Sequence, residues 1–375
     1  MVAFPYYAAA DIAALNDQAL ALLKLFAARG YTREEPSILQ PAEIFLDRSG
    51  EEIRRRTFTL TDPSGRELAL RPDLTIPICR HAVEAGAPFP ARLCYNGLAF
   101  RYQPNRPSRP TQFFQAGVEL LGLPDAAQGE MEILSLAFEA LRLAGLPGFE
   151  MRFGDLSLFG ALVDALALPA HWAARLKRHF WRAGYVETLL QRLGQGAGKA
   201  PSRGAIEAQL AEVPDAPPAG RERAEVIERA LARGAEAAAL HLDPAIAGTI
   251  TKLFAISGPA RPALDEIHRL LGRAGIALDG PLTAMEARLD TIAGLGLDLG
   301  KVRFTAHFGR NMEYYTGFVF ELWSRDKEGP VQVAGGGRYD TLMESLGAKT
   351  PVSAIGCALR TERMLVARKF LEGAP

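Results

Sequence analysis

Three cysteines in 375 residues, Cys79, Cys94 and Cys357, are too few and too scattered to form a disulfide framework or a cysteine-based metal site. They point to a reducing, cytoplasmic setting. No apolar run reaches the length of about 18 residues that a membrane span needs. The first residues carry no basic stretch followed by an apolar one, so no secretory signal is expected. Neither sign of charge dominates: 43 lysines and arginines face 43 aspartates and glutamates. That balance excludes the broad basic footprint of a dedicated nucleic-acid binder. The six histidines, His81, His171, His179, His241, His268 and His307, show no metal-ligand spacing, since His171 and His179 stand eight apart rather than four. Gly335-Gly336-Gly337 is followed by no lysine-serine or lysine-threonine pair, which rules out a P-loop. No serine lies in a nucleophile elbow. Neither a metal nor a cofactor is expected.

What the chain does contain is a soluble composition, 48% apolar and 23% charged, at a length that suggests more than one core. Ile12, Leu15, Leu22, Leu23 and Phe26 fall near one stripe and predict a helix over 11–29, with Gly30 as its stop. Phe58–Leu60 and Glu67–Leu70 flank the turn Asp62-Pro63-Ser64-Gly65 and predict a hairpin. The run Arg54-Arg55-Arg56 reads as solvated residues of that hairpin. A short helix follows over 75–83, with Asp73 placed to cap it. Strands are expected over 92–102 and 112–121, then a helix over 128–144. Because hairpins connect the strands, this part reads as α+β with antiparallel pairing.

From Leu158 to Leu299 the sequence turns alanine- and leucine-rich with helical spacing, then β patterning returns at Val302. The expected organisation is therefore a first core segment over 1–157, a mainly helical insertion over 158–299 and a second core segment over 300–375. In the last segment Phe318, Phe320 and Leu322 alternate with Val319, Glu321 and Trp323, the period of a strand. The triple glycine reads either as a bend between that strand system and a helix or as bare backbone that lets a ligand approach closely. A final strand over 353–359 leads into a helix starting at Thr361.

The densest chemistry lies over 309–321, where Arg310, Glu313, Tyr314, Tyr315 and Glu321 gather at a strand mouth. Arginine grips a carboxylate through two parallel hydrogen bonds, and phenols and carboxylates orient the nitrogens of a small polar ligand. The combination suggests an amino-acid pocket.

Several segments, in matching order, carry a resemblance. Phe100-Arg101-Tyr102 with Phe113-Phe114-Gln115-Ala116-Gly117-Val118-Glu119 is similar to motif 2 of class II aminoacyl-tRNA synthetases, specifically histidyl-tRNA synthetase. Leu70-Arg71-Pro72-Asp73-Leu74-Thr75 resembles the segment before it. Residues 310–321 resemble that family's histidine signature, and Gly356-Cys357-Ala358-Leu359-Arg360-Thr361-Glu362-Arg363 resembles motif 3. The resemblance implies a class II synthetase-like α+β fold, an antiparallel sheet flanked by helices with a helical insertion. It implies that Asp73, Thr75 and Gln115 hold the ammonium of histidine, that Glu119 and Tyr315 read the imidazole, that Arg310 lies near the carboxylate and that Tyr314 shapes the pocket. Arg101 and Arg363 match the arginines that grip ATP.

Gln103 stands where the synthetases carry a glutamate, Phe114 where they usually carry a histidine, and only 12 residues follow Arg363, which leaves no room for an anticodon-binding domain. A synthetase-like core of this kind resembles the regulatory subunits of ATP phosphoribosyltransferase. That resemblance implies a non-catalytic subunit, needed by a short-form catalytic subunit and for feedback inhibition by histidine, the effector, in the first step of histidine biosynthesis. It also implies a homodimeric unit, paired through residues 37–45, within a hetero-oligomer, with no tRNA partner. A histidine-adenylating ligase is the alternative reading.

Overall fold

The structure, a computed structural model, describes residues 6–46, 50–103, 109–180, 183–195, 202–211, 222–239, 242–308 and 314–373. The chain forms two compact units. The first comprises Met1–Ala161, Ser257–Asp265 and Leu278–Pro375; the second comprises Leu162–Ile256 and Glu266–Ala277. No helix among the described residues is long and apolar enough to cross a membrane.

The described residues of the first unit form twelve strands. They are β1 (Thr32–Arg33), β2 (Leu39–Pro41), β3 (Phe58–Thr61), β4 (Glu67–Leu70), β5 (Ala91–Phe100), β6 (Gln112–Leu121), β7 (Glu150–Asp155), β8 (Ser257–Pro259), β9 (Val302–Thr305), β10 (Phe318–Asp326), β11 (Gly329–Arg338) and β12 (Ala354–Leu359). Nine of them form one sheet in the order β1-β5-β6-β12-β11-β10-β7-β9-β8, and β2-β4-β3 form a smaller one. Pairing is antiparallel except for β1 with β5 and β7 with β9. This is the mostly antiparallel, helix-flanked sheet of the class II synthetase fold.

The central strands are apolar on both faces because both faces are covered. Phe318, Val319, Phe320 and Leu322 of β10 are all buried, and Phe318 packs against Phe153 and Phe320. The helix Ala9–Ala28 buries Leu15, Gln18, Leu22 and Phe26, one stripe at helical spacing, and ends before Gly30 at φ 81°. The Asp125 carboxylate accepts from the Gln128 amide (3.0 Å) and so starts the helix Ala126–Leu143. In the second unit, helices Ala170–His179, Ala183–Gln195, Arg203–Ala211, Arg223–Ala239 and Pro244–Ala255 bury Leu176, Val186, Leu189, Ile206, Ile250 and Leu253.

Three features differ from the sequence expectation. Helix Asp279–Gly294 groups with the sheet unit although its composition matches the helical stretch. It buries Leu282, Met285, Leu289 and Ile292 together with Arg288, which bonds Glu130 (2.7 Å) and Asp155 (3.0 Å). Arg54–Arg56 form the last turn of the helix Gly50–Arg56, not a hairpin, and the Arg56 Nε donates to the Tyr102 carbonyl (3.0 Å). Gly335–Gly337 make no bend: they continue β11, and a Cβ at Gly336 would collide with the Gly356 carbonyl of the neighbouring strand.

Candidate functional site

A cavity opens on one face of the large sheet, lined by Asp73, Thr75, Arg101, Gln115, Glu119, Tyr314, Tyr315, Tyr339 and Arg360 above a floor of Gly335, Gly356 and Ala358. Its interior is narrow, with only about 10 Å³ open to a water-sized sphere. A ligand must therefore part side chains on entry.

Each polar group is placed by an identifiable local cause. Helix Thr75–Glu84 starts at the cavity wall, where the Asp73 carboxylate accepts from the Ile76 amide (3.2 Å). Its other oxygen, Oδ2, is buried without a hydrogen-bond partner among the described residues. Burial raises the Asp73 carboxyl above its usual range, against the lowering pull of Arg101 and Arg360. Gln115 and Glu119 share one face of β6, four residues apart. The Gln115 amide donates to Tyr95 Oη (3.0 Å), while its Oε1 has no hydrogen-bond partner among the described residues. Thr75 Oγ1 donates to Glu119 Oε1 (2.7 Å), and Tyr339 Oη donates to Glu119 Oε2.

Glu119 is thus fully inside the protein with two hydroxyl donors. Burial pushes its carboxyl up to about 8, and the donations from Tyr339 and Thr75 hold it from going higher. Near neutral pH such a group exchanges a proton readily, so it can accept from an imidazole N–H or donate to a bare ring nitrogen. Gly356 makes room for it, because a Cβ there would run into Glu119 Oε2. Tyr314 and Tyr315 are buried with rings 5.0 Å apart, and Tyr314 meets Tyr339 edge-on at 5.7 Å.

The structure therefore brings together Asp73, Thr75, Gln115, Glu119, Tyr314 and Tyr315; Arg310 lies outside the described residues. Arg101 joins the lining, its Nε donating to the Pro72 carbonyl (2.7 Å). Arg363 is not part of the lining, and its Nη1 donates to the Gln332 carbonyl (3.0 Å). Near it, the Phe114 amide and Tyr7 Oη both donate to Glu362 Oε1 (2.9 and 2.6 Å). Sequence reasoning missed Tyr95, Tyr339 and Arg360. Tyr339 follows the glycines taken for a bend; the alternation Val331-Val333-Gly335-Gly337, read as strand, would have exposed it.

Comparisons with known proteins give the family and the fold. The family described as "Histidyl-tRNA synthetase" matches residues 8–216 and 219–364. The ATP phosphoribosyltransferase regulatory subunit of Chelativorans sp. (strain BNC1) is 35% identical over 365 residues, covering 92% of this chain and 96% of that protein. The regulatory subunit of Rhizobium meliloti (strain 1021) is 35% identical over 364 residues, covering 92% and 94%. Among solved structures, an ATP phosphoribosyltransferase regulatory subunit/histidyl-tRNA synthetase from Bacillus halodurans superposes with a TM-score of 0.68 at 23% identity, covering 98% of this chain and 82% of that one. A histidyl-tRNA synthetase from Nostoc sp. PCC 7120 gives 0.62 at 14% identity, covering 99% and 74%. These last two likenesses concern the fold.

Proposed function

Since this chain belongs to the family of ATP phosphoribosyltransferase regulatory subunits, we propose that it serves as the non-catalytic chain of that enzyme in histidine biosynthesis, and that its cavity binds the histidine that inhibits the complex. Its partner is the catalytic subunit. The observation that carries the ligand reading is the pairing of two buried acceptors without partners, Asp73 Oδ2 and Gln115 Oε1, with a proton-exchanging carboxyl at Glu119 in one cavity. Free histidine presents an ammonium for the first two and a ring with one donor and one acceptor for the third. A buried site that answers all of these rejects analogues that leave its polar groups unsatisfied.

Inhibition at a distant catalytic centre requires that histidine favour one state of the assembly over another. A coupling of about 1–3 kcal/mol gives a useful response. The narrowness of the cavity supplies a physical route, since ligand entry displaces Tyr314, Tyr315 or the helix that starts at Thr75. Pairing of two copies through residues 37–45 is supported by the apolar side chains of Ile38, Leu39 and Leu60, which are exposed on or beside the small sheet.

The test is to reconstitute phosphoribosyl transfer with a short-form catalytic subunit. Activity is expected only with both chains present and is expected to fall as histidine is added. An unstimulated catalytic subunit would sink the proposal. Histidine-dependent exchange of pyrophosphate into ATP by this chain alone would favour the ligase reading instead. Equal histidine affinity in the unaltered chain and in Glu119→Ala would remove Glu119 from the site.

A further inference from the structure

We propose that Arg360 receives the α-carboxylate of the ligand and so makes the cavity selective for a free, zwitterionic amino acid. This rests on the histidine-binding reading of the same cavity.

Strand register carries the argument. Gly356 pairs with Glu119, Ala358 with Gly117 and Leu359 with Ala116. One further step in this register would bring Arg360 level with Gln115. The β12–β6 pairing itself ends at Leu359, but the Arg360 amide still donates to the Val333 carbonyl of β11 on the other side (2.8 Å), and both Arg360 and Gln115 line the cavity. Side chains alternate along a strand, so positions 356, 358 and 360 share a face with 115, 117 and 119. Four residues of strand, about 13 Å, separate Glu119 from Gln115. The cavity is thus a trough with the ring-reading carboxyl at one end and Gln115 with Arg360 at the other, over the small residues Gly335, Gly356 and Ala358.

The far end has the chemistry that an amino-acid backbone needs. Its ammonium and carboxylate hang from one carbon, so an acceptor and a cation must stand side by side. Gln115 Oε1 and Asp73 Oδ2 are the buried acceptors. Two lining cations, Arg101 and then Arg360, act by charge on the Asp73 carboxyl. The Arg360 guanidinium lies 4.2 Å from the ring centre of Phe113, two residues before Gln115 and on the same face of β6. That contact holds the guanidinium at the cavity wall, and a guanidinium is the group that can receive a carboxylate through two parallel hydrogen bonds. The other lining arginine, Arg101, is 6% exposed and commits its Nε to the Pro72 carbonyl.

The test compares histidine with histamine, which keeps the ring and ammonium but has no carboxylate. Calorimetric titrations would use the purified chain, Arg360→Gln, Arg360→Lys and Arg310→Gln. The unaltered chain should prefer histidine by about tenfold or more, the worth of a charged hydrogen bond. Arg360→Gln should erase most of that ratio while histamine affinity stays within about threefold, and Arg360→Lys should restore part of it. An unchanged ratio in Arg360→Gln overturns the inference, whatever Arg310→Gln does. Equal loss of both ligands in Arg360→Gln and Arg360→Lys also overturns it, as a purely structural role. If the unaltered chain binds neither ligand, the histidine reading itself fails.

Discussion

The sheet unit and the helical unit solve the burial of charge in opposite ways. The sheet unit takes charge inside: Asp73, Arg101, Glu119, Asp155, Arg288 and Arg338 are all buried. The described ion pairs of the helical unit stay at the surface, as in Lys177–Asp164 and Arg203–Glu228, whose side chains are 39–68% exposed. A charge withdrawn from water must be repaid by fixed partners, which holds the surrounding backbone to one geometry. A solvated pair demands nothing of its neighbours. The sheet unit therefore has the rigid polar interior on which recognition can be built, while the helical unit is held mainly by apolar stripes.

That contrast can be broken in order of effect. Removing Arg288 strands Glu130 and Asp155, so Arg288→Ala should cost about 3–5 kcal/mol, read by hydrogen exchange on peptides of β7 and of helix Ala126–Leu143. A loss below 1 kcal/mol would show that this buried cluster holds nothing. Gly356→Ala forces a methyl into Glu119 Oε2 and the Val118 carbonyl, at a cost of about 1–3 kcal/mol, and should weaken histidine binding with it.

The third measurement is pH dependence. Glu119 binds its proton more tightly folded than unfolded, its value rising from 4.5 to about 8. Between those values the folded state holds more protons, so this group's contribution is fully present below about 4.5 and is lost as pH rises through 8. Glu119→Gln should flatten that part of a stability-against-pH profile; an unchanged slope would contradict the assignment. Smallest of all, Lys177→Ala in the helical unit should change stability by about 1 kcal/mol or less, and less still at high salt.

Much of this was legible beforehand, for particular reasons. Strands β3, β4, β5 and β6 announced themselves through alternation and turn residues, and the helix from Thr75 through its spacing and the carboxylate at Asp73. Six of the expected ligand residues meet in one cavity because they recur in a recognisable order of segments. Tyr339 escaped because a glycine run looks alike in a bend and in a crowded strand, and Arg360 because it stands just past the end of β12, where a helix begins. Helix Asp279–Gly294 looked like its neighbours in composition, and the buried Arg288, with its bonds to Glu130 and Asp155, is what composition did not reveal.

By itself the sequence determined which segments pair, which faces are apolar and which family the chain resembles, since periodicity and local propensity are properties of neighbours along the chain. Tertiary structure alone decided the register of β12 against β6, and with it the placing of Gly356 beneath Glu119 and of Arg360 in the same lining as Gln115. Register between strands more than 200 residues apart depends on how side chains fit across a gap, and no local pattern encodes that fit.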